Sequence, residues 1–306
     1  MGTLNSFGTI AGTLPAFMGR QFFVAPSASY TIGGRTYVAS DGNDGLSPER
    51  ALLTVAAALA LTTASAGDMV VLLPGDHTAT ASLAMSKAGV TLTGIPGMRS
   101  RPIASNTSLT VSASDEIINV TAADVEICNL RIIPITAKTG IDASAAANRL
   151  YLHDLYFDLT TPAVNTGTVG FASIGANSQV LIEDCYALSD GAQGPALTLT
   201  GTLNSIVRNC TIQNNAGSWA VGVLCGAATK VLMHDCLFVS TGTAMTAGVS
   251  GTGATGASGC IFMNNRFSSL VTVGIDNFDA GEAELSENYD AGVGATDGGV
   301  LIVAIT

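Results

Sequence analysis

The chain has 306 residues, of which 11% are charged and 47% apolar, and its formal net charge is −11. An ordinary soluble domain is ~25% charged, so a long β structure with flanks this poor in charge needs cover from copies of itself or from a partner. Phosphate neutralisation takes clustered Lys and Arg, so a chain whose only lysines are Lys87, Lys138 and Lys230 argues against nucleic-acid binding, and no run reaches the ~18 uninterrupted apolar residues of a membrane span.

Residues 1–34 show neither a helical nor a strand period. Gly2, Gly8, Gly12, Gly19, Pro15 and Pro26 would break regular elements there. Phe7, Ile10, Leu14, Phe17, Met18, Phe22 and Phe23 nevertheless crowd together. The expectation is an anchoring arm over 1–34 whose apolar side chains dock on a neighbouring copy or a partner. The alternative is that it folds back over its own rod. Met1-Gly2-Thr3-Leu4-Asn5-Ser6 fits the short, degenerate myristoylation pattern. The first basic residue is Arg20, so the positive start of a signal peptide is missing and the six Cys are expected to be reduced.

Ser47-Pro48 reads as a helix N-cap and first helical residue. Leu52, Val55, Ala56 and Leu59 follow at helical spacing and Gly67 ends the run. This predicts a helix near 47–66 that plugs the open end of a rod and shields its strand edges. Gly67 to Gly75 then gives a first strand and its turn.

From here a repeat dominates. Asn129, Asp154, Asp184, Asn209, Asp235 and Asn264, with Glu287 last, form a column stepping by 25, 30, 25, 26, 29 and 23 residues. Apolar residues sit two and four positions before each, which is the alternation of a strand with one face inward. Another often follows three positions after, as in Ile132, Phe157, Ile212, Phe238 and Phe267. Asn and Asp tolerate the left-handed backbone of a sharp bend, so the column is read as a structural turn ladder. A further short strand precedes each copy, as at 117–120, 140–143, 171–174, 196–199, 221–224 and 273–276. Three strands per repeat make one coil of a parallel β-helix. The fold class expected for residues 35–306 is all-β: a right-handed parallel β-helix of about eight coils, ~40 Å long. A β-sandwich should instead show turns every ~8–12 residues. The apolar run 299–306 would close the last coil or pair with a neighbouring chain.

Tyr37-Val38-Ala39-Ser40-Asp41-Gly42-Asn43-Asp44-Gly45-Leu46-Ser47-Pro48, the Ala-rich helix and the Gly-Asp to Leu-Pro-Gly run resemble the opening of pectin-lyase-like β-helix proteins. Phe7-Gly8-Thr9-Ile10 with Leu14-Pro15-Ala16-Phe17-Met18-Gly19 resembles β-helix proteins of tailed bacteriophages. The first likeness spans about residues 35–290 and the second only the opening segment. The superfamily includes lyases, hydrolases, tailspikes and scaffolds, so fold does not settle function.

Hydrolases of this fold need clustered carboxylates as acid and base. The Asn-Thr-Asp, Asp-Asp, Gly-His-Gly and Arg-Ile-Lys motifs of pectin hydrolases do not occur here. Asp154 and Asp184 neighbour one another, but turn positions explain them. His153, Glu183, Arg208 and His234 form the preceding column and read as a solvated charge ladder, with Glu183 and Arg208 able to pair. His153 and His234 lie three coils apart, ~14 Å, too far to share a metal. Cys185, Cys210 and Cys236 stack as small core residues rather than ligands. Asp41 to Gly45 lacks the later Glu of a calcium loop and matches a turn cluster. One Trp, Trp219, and 6% aromatics argue against a long glycan groove.

These readings lead to a non-enzymatic virion structural protein without catalytic residues, metal or cofactor. The expected role is capsid decoration in a tailed phage, on the capsid surface after synthesis in the host cytoplasm. The expected partners are the major capsid protein and two further copies of the chain in a homotrimer, three being the habit of phage β-helices. The alternative is a receptor-binding tailspike or a polysaccharide depolymerase. A tailspike would usually add a long trimerisation region, whereas here about 16 residues follow the last repeat.

Overall fold

The structure is a computed structural model. It describes residues 19–95, 107–111, 116–134, 139–159, 170–176, 179–189, 194–215, 221–227, 230–241, 245–251, 259–268, 271–276 and 283–290. Three parallel sheets of ten, nine and eight strands run along one axis, each complete coil contributing one strand to each. The first sheet begins with Gln21–Val24, Met69–Leu72 and Thr91–Gly94 and continues through Glu126–Cys128, Tyr151–His153, Leu181–Glu183, Ile206–Arg208, Leu232–His234, Cys260–Met263 and Ala283–Ser286. Its partners pair in register, so equivalent residues stack one above another. This is an all-β parallel β-helix.

Alternation puts one face of each short strand inside. Leu152, Ile182, Val207, Met233 and Phe262 stack through the first sheet and are all buried. Ile132, Phe157, Ala187, Ile212, Phe238 and Phe267 do the same in the second. Covering ~25 cal/mol per Å² of apolar surface, these inward columns supply the main favourable term in folding.

The bend between first and second sheets is one residue wide. Asn129, Asp154, Asp184, Asn209, Asp235 and Asn264 occupy it with φ of 56°, 51°, 52°, 52°, 57° and 49°, and Glu287 has 54°. A second left-handed column stands two residues ahead of the first-sheet strands, at Asp124, Arg149, Gln179, Asn204 and Lys230, with φ from 50° to 60°. Just inside the first bend, Cys185, Cys210 and Cys236 are buried, and Asn265 and Asn288 continue that column toward the far end. Asn265 donates from Nδ2 to Asn288 Oδ1 at 3.0 Å and Asn288 donates to the Phe262 carbonyl at 2.8 Å, which satisfies two amides sealed from water.

The division at residue 34 needs correction. Gln21–Val24 is a strand of the rod, paired in parallel with Met69–Leu72, and Phe22 lies in the main core. Phe23 packs on a second apolar cluster around Ala25, Tyr30 and Ala39. Phe7, Ile10, Leu14, Phe17 and Met18 lie outside the described residues, as does 299–306. The helix is also shorter than its spacing predicts. Ser47-Pro48 opens only the 3-10 turn Pro48–Arg50, and the α-helix is Val55–Leu61. Leu52 is drawn out of helical geometry by a bridge to Val24. Asp41 Oδ1 takes the Leu53 and Thr54 N–H groups at 3.0 and 2.8 Å, and Thr54 then caps the helix through Ala57 N. Val55, Ala58 and Leu59 close the end of the core.

Candidate functional site

The outer face of the first sheet carries the densest polar constellation among the described residues. Strand alternation turns Glu126 and Cys128, Tyr151 and His153, Leu181 and Glu183, Ile206 and Arg208, and Leu232 and His234 outward on successive coils. His153 sits between two carboxylates. Its Nε2 is 2.9 Å from Glu126 Oε1 and its Nδ1 is 2.8 Å from Asp154 Oδ2. The Tyr151 ring stacks on the imidazole at 4.1 Å. On the next coils the Tyr151 hydroxyl donates to Glu183 Oε1, and Arg208 Nε donates to Glu183 Oε2 at 2.5 Å.

The column is therefore not the solvated charge ladder that spacing alone suggests. Glu183 is only 9% exposed, enclosed by Tyr151 and Arg208. Burial favours its neutral form, yet the bonds from Tyr151 and Arg208 hold the carboxyl below its ordinary value. Burial likewise opposes charge on His153, but hydrogen bonds to Asp154, Cys128 and Glu126 outweigh it and push the imidazole up to about 11. The His153 proton holds the Glu126 carboxyl down against burial. Asp184 goes the other way, raised by burial and by repulsion from Asp154 and Glu183. His234 pairs with Asp235 at 2.6 Å, three coils from His153.

Two more groupings lie on the other faces. On the second sheet Arg131 Nε donates to buried Asp158 at 3.0 Å and the guanidinium covers Tyr156, itself packed on Tyr186 at 5.4 Å. On the third, Asn119, Asp142 and Ser173 form an outward row, in which burial and then the nearby Glu116 raise Asp142 despite a bond from Ser173. His77 is buried, held by the Leu73 carbonyl at 2.7 Å and shifted down by burial. The six cysteines are all free and buried.

Glu126 and Cys128 escaped the sequence reading. The signal was present, because a 25-residue step from Asn129 to Asp154 sets residue 128 beneath 153 and residue 126 beneath 151.

Residues 116–290 match the family described as the right-handed β-helix region. The chain belongs to the right-handed β-helix family. No curated protein matches this right-handed β-helix. Among solved structures it is similar to a pectin methylesterase in complex with a hexasaccharide, with a TM-score of 0.58 and 12% identity over 90% of this chain and 91% of that one. The pectin methylesterase of Aspergillus niger gives 0.56 and 14% over 92% and 88%. A rhamnogalacturonan lyase gives 0.50 and 11% over 89% and 88%. At such identities the likeness is one of fold.

The expectation that the chain is not an enzyme is corrected by these matches. The similar structures are pectin methylesterases and a rhamnogalacturonan lyase, so missing hydrolase motifs were too narrow a ground for excluding carbohydrate chemistry.

Proposed function

We propose that this right-handed β-helix is a structural rod on the particle of a tailed bacteriophage, in the position of a capsid decoration protein, packed beside two further copies. One observation carries the packing. Leu181, Ile206, Leu232 and Ile261 stack in register on the outer face of the first sheet, each partly exposed. The solvent face of a sheet is ordinarily polar. A ~14 Å apolar row beside it, with Met263 and Leu237 each 38% exposed nearby, is a surface that needs cover. The number three and the phage setting come from the resemblance of the opening segment, whose Phe7, Ile10, Leu14, Phe17 and Met18 would supply the anchor to the capsid.

Sedimentation at micromolar concentration is expected to give a trimer, and Ile206→Glu with Leu232→Glu a monomer of unchanged circular dichroism. A monomeric native chain contradicts the packing. Labelled particles should carry the protein over the head, and label confined to the tail tip would favour a tailspike.

The fold supports a second reading, that the rod engages polysaccharide. Tyr151 and Arg208 offer an aromatic ring and an accessible guanidinium on the outer face, positioned by Glu183 bound between them. Incubation with host capsule polysaccharide should then yield new reducing ends or unsaturated products, reduced at least tenfold by Glu183→Gln. No product and no retention on the immobilised glycan would sink this reading.

A further inference from the structure

We propose that Glu126, Cys128 and His153 form a binding site for a soft divalent cation, zinc by the chemistry of its ligands, on the outer face of the first sheet. Glu126 and Cys128 occupy alternate positions of one strand and so share a face. His153 is the register partner of Cys128 one coil on. The carboxylate oxygen, the thiol sulfur and an imidazole nitrogen all lie within 4.8 Å of one another.

Each ligand is also held from behind. Thr91 Oγ1 donates to the far oxygen of Glu126, Oε2, at 2.9 Å. Asp154 Oδ2 faces the far nitrogen of His153, Nδ1, at 2.8 Å. Asn129 Nδ2 donates to Cys128 Sγ at 3.3 Å, and Sγ in turn reaches Thr93 Oγ1 at 3.3 Å. These bonds engage the far atoms and leave Oε1 and Nε2 facing each other at 2.9 Å, with the Cys128 thiol in the same cluster. A carboxylate behind a ligating histidine is the usual outer support of a zinc site, fixing tautomer and ring orientation.

The ligand types choose the ion. Calcium and magnesium take all-oxygen shells, whereas sulfur with imidazole and carboxylate suits zinc, and three protein ligands leave a fourth position for water. Cys128 is 5% exposed and forms a dry floor, while Glu126 and His153 keep side-chain exposures of 28% and 16% as the route of entry. In the metal-free protein a proton bridges His153 and Glu126, and the ion takes its place. Binding releases that proton from Nε2 and the thiol proton from Sγ. The column of Cys185, Cys210 and Cys236 offers no such site, because it stacks sulfur inside the core without imidazole or carboxylate.

The test titrates the full chain with Co²⁺ as a spectroscopic stand-in and then with Zn²⁺. One equivalent should bind, with a thiolate-to-cobalt charge-transfer band that Zn²⁺ abolishes. The band should vanish in Cys128→Ser, and affinity should fall at least tenfold in His153→Gln and Glu126→Gln. Asp154→Asn should weaken binding about 10–100-fold, as supporting groups do. No band, or a band that survives in Cys128→Ser, overturns the site. X-ray absorption on the zinc-loaded native chain decides independently of whether the variants fold: one sulfur with nitrogen and oxygen neighbours is expected, and a first shell without sulfur overturns the proposal.

Discussion

Replacing Phe238 by Ala is expected to lower the unfolding free energy by about 3–5 kcal/mol, the range for truncating a fully buried aromatic ring. Phe238 is 0% exposed and stacks on Phe267 of the next coil at 4.9 Å. Gly222 also lies against the ring. A Cβ built there would stand 2.7 Å from two atoms of the Phe238 ring, so the ring already fills the space a larger residue would use. The cavity left by Ala could not close easily, because the strand Leu237–Ser240 is fixed by ladder bonds to Thr211–Asn214 on one side and Arg266–Phe267 on the other. Urea denaturation followed by circular dichroism gives the magnitude. Hydrogen exchange adds location: solenoid stability is a sum of repeat and nearest-neighbour contributions. Protection should therefore fall around residues 206–268 and persist over 69–134. A loss below about 1 kcal/mol would show that the column is loosely packed. Uniform loss along the chain would show that the rod unfolds as one unit.

The parts of this architecture that were legible before any coordinates are those marked by composition. The turn at Asn129, Asp154, Asp184, Asn209, Asp235 and Asn264 could be read because Asn and Asp carry the left-handed backbone at low cost, and the 25-residue steps then fixed which residues stack. The second left-handed column left no such mark. Arg149, Gln179 and Lys230 occupy it, and hydrogen bonds from neighbouring coils hold the chain there, as Gln179 N does with the Leu203 carbonyl at 2.8 Å. The strand Thr91–Gly94 was invisible for the same reason, since Gly94 stands where later coils have Asn or Asp. Gln21–Val24 was read as arm because membership of the rod depends on a partner 48 residues later. Leu52 misled differently. Its spacing fits an amphipathic helix, and the same apolar side chain is equally served by a bridge to Val24. In the polar site, His153, Glu183 and Arg208 were visible as a column. Their enclosure was not, because burial of Glu183 comes from two long side chains on different coils folding over it.

The stability of the rod is expected to fall more steeply between pH 7 and pH 9.5 in the native protein than in His153→Gln. The folded imidazole titrates at about 11, whereas an unfolded His titrates near 6.5. The folded state therefore holds a proton that the unfolded state has lost. The contribution of His153 is complete below about pH 6.5, declines as the pH rises above it, and is gone once the pH passes about 11. Its source is the contacts to Asp154, Cys128 and Glu126, and side-chain exposure of 16% limits screening by water. Tyr151 is also raised, by burial and then by the Glu183 carboxylate, but an unfolded Tyr releases its proton only near pH 10, so it stays silent within this window. Substitution to Gln removes the charge and keeps a hydrogen-bonding side chain. At pH 7 it should cost ~1.5–3 kcal/mol, the value of hydrogen bonds to charged groups, and the gap between the two proteins should narrow as the pH rises. Denaturation midpoints measured at half-unit intervals in metal-free buffer provide the comparison. Parallel curves, with the gap unchanged at pH 9.5, would mean that His153 is neutral in the folded rod and that Asp154 and Glu126 do not hold a proton between them.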